Sequence, residues 1–237
     1  MATVTVLQPD HAHTIDRFGA WLSECGVALE TVLLWEDPVP SIDDLGDGVI
    51  LLGGYMSAHD GIDHPWIEPV GWLLKEAISR RIPVLATGLG HQILAQAFGG
   101  HVAVPGPSGL EEGAVEFTLT DAALRDPVVS PVSRGNVLMG FLSHSDAVER
   151  LPADARLLAS STAYNYQAFR IGSGLALQFH PEAGPAQIAR WHAATGAEEE
   201  PLLSMLQAVD GRVAFNGKRI AYAFARQLGV EVPEPTR

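Results

Sequence analysis

Short runs of aliphatic and β-branched residues alternate with helix-period segments through the first hundred positions. That alternation restricts the chain to a parallel sheet clothed by helices on both faces. A strand at Thr3 to Leu7 leads into a helix from about Ala12 to Cys25, closed by Gly26, where glycine suits a left-handed cap. Val27 to Trp35 reads as the second strand. Gly48 to Leu52 reads as a third, fully buried one, separated from the second by the proline- and acid-rich stretch Asp37 to Gly46. Gly53 and Gly54 mark a tight loop. The next helix starts near Pro65, and Trp66, Val70, Leu73, Leu74 and Ile78 give it one apolar face. Pro83 to Ala86 is the following strand, and Thr87-Gly-Leu-Gly90 turns directly into a helical stretch, His91 to Phe98.

From His101 to Phe179 the pattern changes. Val115 to Leu119, Val137 to Leu142, Arg156 to Ala159, Tyr166 to Ile171 and Leu175 to Phe179 are β-rich pieces between turn residues, which predicts mixed or antiparallel strands. Beyond His180-Pro-Glu182, helices are expected over Pro185 to Ala194, Pro201 to Val209 and Lys218 to Leu228. The length, with 47% hydrophobic residues, suits one domain over residues 1–237, with peripheral helices from about residue 184.

A net formal charge of −13 argues against a nucleic-acid partner, whose phosphates call for clustered Lys and Arg. Apolar stretches such as Val32 to Trp35 fall far short of the ~20 residues that cross a bilayer, and the start lacks the basic and apolar regions of a signal peptide. The expectation is a cytoplasmic protein with no membrane partner. The single cysteine, Cys25, excludes an internal disulfide and a multi-cysteine metal site; in its early helix it reads as buried packing. His11 and His13 lack a carboxylate or cysteine at ligand spacing, so no metal is expected there.

Three motifs carry a resemblance. Pro83-Val-Leu-Ala-Thr-Gly-Leu-Gly-His-Gln92 is similar to the nucleophile elbow of the class I glutamine amidotransferases, which reads close to P-V-L-G-I-C-L-G-H-Q. Gln178-Phe-His-Pro-Glu182 resembles the family's second element, and Gly53-Gly-Tyr-Met-Ser57 its G-G-P-x-S oxyanion loop, in the family's order and spacing. The resemblance implies an α/β fold of flavodoxin-like type, three-layer α/β/α with a central mostly parallel sheet and the site at the carboxyl ends of its strands. In the family a cysteine attacks the side-chain amide of glutamine to give a γ-glutamyl thioester and ammonia. A histidine makes the thiolate and protonates the leaving amine, a glutamate two residues on fixes that imidazole, and backbone N–H groups hold the oxyanion. By resemblance His180 and Glu182 take the first two roles and Gly54 and Leu89 the last. Gln92 matches the glutamine that contacts the bound amino acid, Glu111 resembles the E-x-G segment, and His144 in Ser143-His-Ser-Asp146 resembles H-G-D. His91 reads as helix packing. The implied ligand is glutamine or a γ-glutamyl small molecule, with no cofactor, and with either a separate synthetase partner chain or independent hydrolysis.

The departure is at the nucleophile: the position that should be cysteine is Gly88. Glycine preserves the sharp strand-to-helix turn, whose backbone it enters without a Cβ penalty, while deleting the reactive atom. Thr87 does not replace it, because neighbours on an extended strand point to opposite sides. No G-x-S-x-G pentad occurs. Loss of the nucleophile from such a unit costs on the order of a million-fold in turnover. Three readings stand open: a degenerate member that binds a γ-glutamyl ligand or a partner enzyme without turnover, an enzyme of altered mechanism in which His180 activates water, or an ordinary glutaminase or γ-glutamyl hydrolase in which Gly88 is an introduced replacement for cysteine.

Overall fold

The computed structural model describes residues 1–133 and 135–233. In chain order the elements are β1 (Thr3–Gln8), α1 (Arg17–Glu24), β2 (Ala28–Leu33), β3 (Gly48–Leu51), α2 (Ile67–Ser79), β4 (Val84–Thr87), α3 (Leu89–Ala97) and β5 (His101–Ala103). Then follow β6 (Glu111–Leu119), β7 (Val137–His144), β8 (Ala147–Arg150), β9 (Arg156–Ser160), β10 (Ala168–Ile171), β11 (Gly174–Leu177), α4 (Pro185–Ala194) and α5 (Glu199–Gln227).

Nine strands form one sheet in the order β2-β1-β3-β4-β11-β10-β9-β6-β7, and β5 pairs with β8 in a small separate ribbon. From β2 to β11 every pairing is parallel; from β11 outward to β7 every pairing is antiparallel. The period-2 alternation of strand side chains divides the interior in two. Val49, Leu51, Val84, Ala86 and Ala176 face α2 and α3, whereas Ile50, Leu85, Leu175 and Leu177 face Phe18 and Leu22 of α1 and Ile220 and Phe224 of α5. The result is a three-layer α/β/α fold around a large mixed sheet.

Two segments differ from the sequence reading. The first helix starts at Arg17 rather than near Ala12, because the Asp10 carboxylate accepts the N–H groups of Ala12 and His13 and winds residues 10–13 into a turn of their own. The two helices expected after residue 200 are one, the 29-residue α5. Gly217, which reads as a breaker, lies inside that helix because its backbone passes directly over the Pro181 carbonyl, with which a Cβ would collide; the Trp21 ring lies 3.0 Å from the same point. The helix that looks interrupted in sequence is thus the element that clamps the His-Pro-Glu turn.

Candidate functional site

Adjacent parallel strands bring the site together. Thr87, the last residue of β4, pairs in register with Leu177, the last of β11, so the chain leaving β4 and the chain leaving β11 emerge side by side. Gly88 follows Thr87 at φ 54°, ψ −116° and caps α3; its N–H donates to the Leu177 carbonyl at 3.0 Å, and its own carbonyl accepts the His91 N–H at 3.0 Å. That backbone lies in the left-handed half of the map, where glycine is at ease. Three residues beyond Leu177 the His180 ring lies over the glycine: a Cβ on residue 88 would stand 2.5 Å from His180 Cε1 and 2.7 Å from Nε2.

The His180 imidazole is 2% exposed and held on several sides. Nδ1 lies 2.8 Å from Glu182 Oε1, the same oxygen accepts the Thr87 hydroxyl at 2.9 Å, and the ring meets Trp191 of α4 edge-on at 4.6 Å. Glu182 Oε2 is buried without a hydrogen-bond partner among the described residues. A carboxylate on Nδ1 fixes the tautomer and turns Nε2 toward Gly88, the orientation a proton-transferring histidine requires. No thiol is present. Cys25 closes α1 within the interior between the sheet and α5, its Sγ donating to the Trp21 carbonyl, and burial pushes the thiol up from its ordinary value.

Gly54, Gly88, Leu89, Gln92, His144 and His180 all line one cleft of about 420 Å³. Among the described residues neither the Gly54 nor the Leu89 N–H donates to another protein group, so both are free to meet an oxyanion. Gln92 of α3 is anchored by its amide nitrogen on the Asp146 carbonyl at 3.0 Å and on Gln178 Oε1 at 3.2 Å. His144, at the end of β7, has Nδ1 on the same Asp146 carbonyl at 2.9 Å and Nε2 3.3 Å from Glu111, its register partner on β6. Glu111 and Glu182 therefore stand behind the two histidines rather than in the cleft wall. His91 points into the interior beside Phe169, and burial drives its pKa down to about 3. Among the described residues no group of three or more His, Cys, Asp or Glu side chains is placed to hold a metal ion, and no helix is long and apolar enough to cross a membrane.

The sequence reading missed one pair. His13 also lines the cleft, stacked on Trp191 at 4.2 Å and 6.3 Å from His180 between ring centres, with Nδ1 2.9 Å from Asp10. Asp10 in addition accepts the N–H groups of Ala12, His13 and Tyr55, the last from the glycine loop. Burial favours the neutral Asp10 carboxyl, but the His13 hydrogen bond and charge and the Tyr55 and Ala12 N–H groups outweigh it and hold its pKa below the usual value. Burial lowers the His13 pKa against the opposing pull of Asp10. The available signal was an Asx-turn pattern, Asp10 followed by His13 at i+3, which on its own carries no chemistry.

The model of the family described as glutamine amidotransferase class-I matches residues 16–190. The smaller, glutamine-hydrolyzing GMP synthase chain of Methanococcoides burtonii is 32% identical over 143 residues, 60% of this chain and 67% of that protein. The glutamine-hydrolyzing GMP synthase of Aeropyrum pernix is 33% identical over 192 residues, 76% of this chain but 32% of that protein, so the chain spans about a third of the longer relatives. Two solved structures share the fold. A glutamine amidotransferase from Thermotoga maritima has a TM-score of 0.82 at 21% identity, covering 94% of this chain and 98% of that one. One from Methylobacillus flagellatus has a TM-score of 0.81 at 24% identity, covering 99% and 97%. A family match over residues 16–190, on a fold that sets a glycine-capped elbow beside a His-Pro-Glu turn, makes the chain a member of the class I glutamine amidotransferases.

Proposed function

We propose that the protein holds glutamine or a γ-glutamyl small molecule in the cleft over Gly88 and does not form the family's thioester, acting as a non-catalytic or divergent member. One observation carries the reading: residue 88 has no side chain, and the His180 ring stands where its Cβ would be. In this reading the free N–H groups of Gly54 and Leu89 receive the ligand's carbonyl oxygen, while Gln92, His144 and, behind them, Glu111 shape the amino-acid end of the cleft. His180 and Glu182 keep the family's proton-handling pair without the sulfur it serves. The unit is residues 1–237 as one cytoplasmic domain, of which 134 and 234–237 lie outside the described residues. Relatives named as one of the subunits of a GMP synthase support a separate synthetase chain as partner.

The test is calorimetric titration with glutamine alongside ammonia release, for the protein and for Gly88→Cys. The expected result is glutamine binding by both, no rapid ammonia release with Gly88, and covalent labelling by a diazoketone analogue of glutamine in Gly88→Cys only. Rapid release by the glycine protein, or no binding of glutamine or a γ-glutamyl amide, overturns the reading. Turnover by Gly88→Cys at the ordinary enzymatic scale of about 1–10³ s⁻¹ would mark the glycine as the one lesion in an otherwise competent site.

A further inference from the structure

The glycine at 88 leaves the cleft without a nucleophile, yet the cleft holds more proton-transfer machinery than a thiol needs. His13 and His180 flank Gly53 so closely that a Cβ on that glycine would stand 2.8 Å from His180 Cε1 and 2.9 Å from His13 Cδ2. Each ring has its Nδ1 on a carboxylate, Asp10 for one and Glu182 for the other. The His13 side chain is only 8% exposed, lines the cleft, and has no hydrogen-bond partner on Nε2 among the described residues. The Asp10–His13 pair also lies outside the segment matched by the family model, which begins at residue 16. A loop that needed only an Asx turn would have no use for a histidine whose far nitrogen opens onto the ligand space.

We propose that Asp10–His13 is a second proton-transfer pair of this site: His13 is the general base that lets water, in place of the missing thiol, attack a γ-glutamyl amide or ester bound over Gly88, and Asp10 is its positioning residue. The proposal rests on the cleft taking a γ-glutamyl ligand. In the step, a water molecule gives a proton to His13 Nε2 as its oxygen bonds to the carbonyl carbon. The oxyanion lies against the N–H groups of Gly54 and Leu89. The bond from carbon to the leaving nitrogen or oxygen then breaks as His180, in its imidazolium form, passes a proton to the leaving atom. The products are the γ-carboxylic acid and an amine or alcohol; His13 returns its proton to solvent and His180 regains one. Asp10 keeps the His13 proton on Nδ1, so that Nε2 carries the lone pair.

The groups facing His13 are Asp10 on its own loop, Tyr55 on the glycine loop, and His180 and Glu182 beyond β11. With γ-glutamyl-p-nitroanilide as probe, the native chain is expected to release p-nitroaniline slowly and to keep its rate as pH falls to the ordinary imidazole range, losing it only below. His13→Gln should lower kcat by about a hundredfold or more while glutamine affinity measured by calorimetry stays within a few-fold. Asp10→Asn should lower kcat less and shift the acid limb of the pH profile. Binding of glutamine with no release above the His13→Gln level, or a His13→Gln variant as fast as the native chain, overturns the proposal and leaves the binding reading intact. Absence of any binding removes that reading instead.

Discussion

The two imidazoles that meet at this cleft are supported in opposite ways. Glu182 serves His180 with one oxygen, which it shares with the Thr87 hydroxyl, and its other oxygen is buried without a partner among the described residues. Asp10 serves His13 while accepting three backbone N–H groups besides. The first carboxylate is under-used, as expected of a group kept for what it does to an imidazole rather than for stability. The second is woven into the backbone, and through Tyr55 it ties the His13 loop to the glycine loop. Function and architecture therefore draw differently on the two acids, and isosteric amides separate them.

The largest expected effect follows from that contrast. Asp10→Asn replaces one accepting oxygen with an NH₂ that faces donors, so a backbone N–H or the imidazole loses its partner; the expected cost is about 2–3 kcal/mol of unfolding free energy. Glu182→Gln keeps an oxygen for Thr87 and His180, removes a buried charge and places NH₂ where an oxygen already lacks a partner, so stability should stay within about 1 kcal/mol of native. Urea denaturation of both variants measures the difference. Equal losses, or a larger loss for Glu182→Gln, break the comparison.

The same contrast explains what was legible in the sequence. His180 and Glu182 lie two residues apart inside a short motif, and the strand before them is a continuous apolar run, so pair and placement could be read together. The parallel half of the sheet was equally open, since its strands are buried on both faces. Asp10 and His13 were not, because their meaning comes from partners distant in sequence: Tyr55 through a hydrogen bond, and His180 and Trp191 through ring contacts. The continuity of α5 was hidden for a related reason. Gly217 reads as a breaker until the Pro181 carbonyl is seen beneath it.

A substitution at the elbow should disturb one ring and spare the other. Gly88→Ala places a Cβ at φ 54°, 2.5 Å from His180 Cε1 and 3.4 Å from the Gly53 Cα. The backbone strain and the displaced ring together should cost about 1–2 kcal/mol. The His180 ring, hemmed by Glu182 and Trp191, has to tilt away from residue 88, whereas His13 is not among the atoms that Cβ approaches. Imidazole resonances followed by NMR should therefore move for His180 and stay in place for His13. A shift of both to the same extent would mean that the rings behave as one unit.

The smallest effect is a matter of proton linkage. Burial lowers the His13 pKa in the folded chain below its unfolded value, so between the two values the unfolded chain binds more protons. The stability this group contributes is fully present above the ordinary imidazole pKa and is lost as pH falls toward the lowered one, at no more than about 1.4 kcal/mol per pH unit. His91, buried and held neutral down to about pH 3, adds a loss of the same sign over a wider window. In Asp10→Asn the hydrogen bond and charge that raise the His13 pKa are gone, so the ring should titrate lower still, while His91→Leu should flatten the acid limb without moving the His13 resonance. An Asp10→Asn variant whose His13 titrates at or above its native pKa would show that the carboxylate is not what orders this ring.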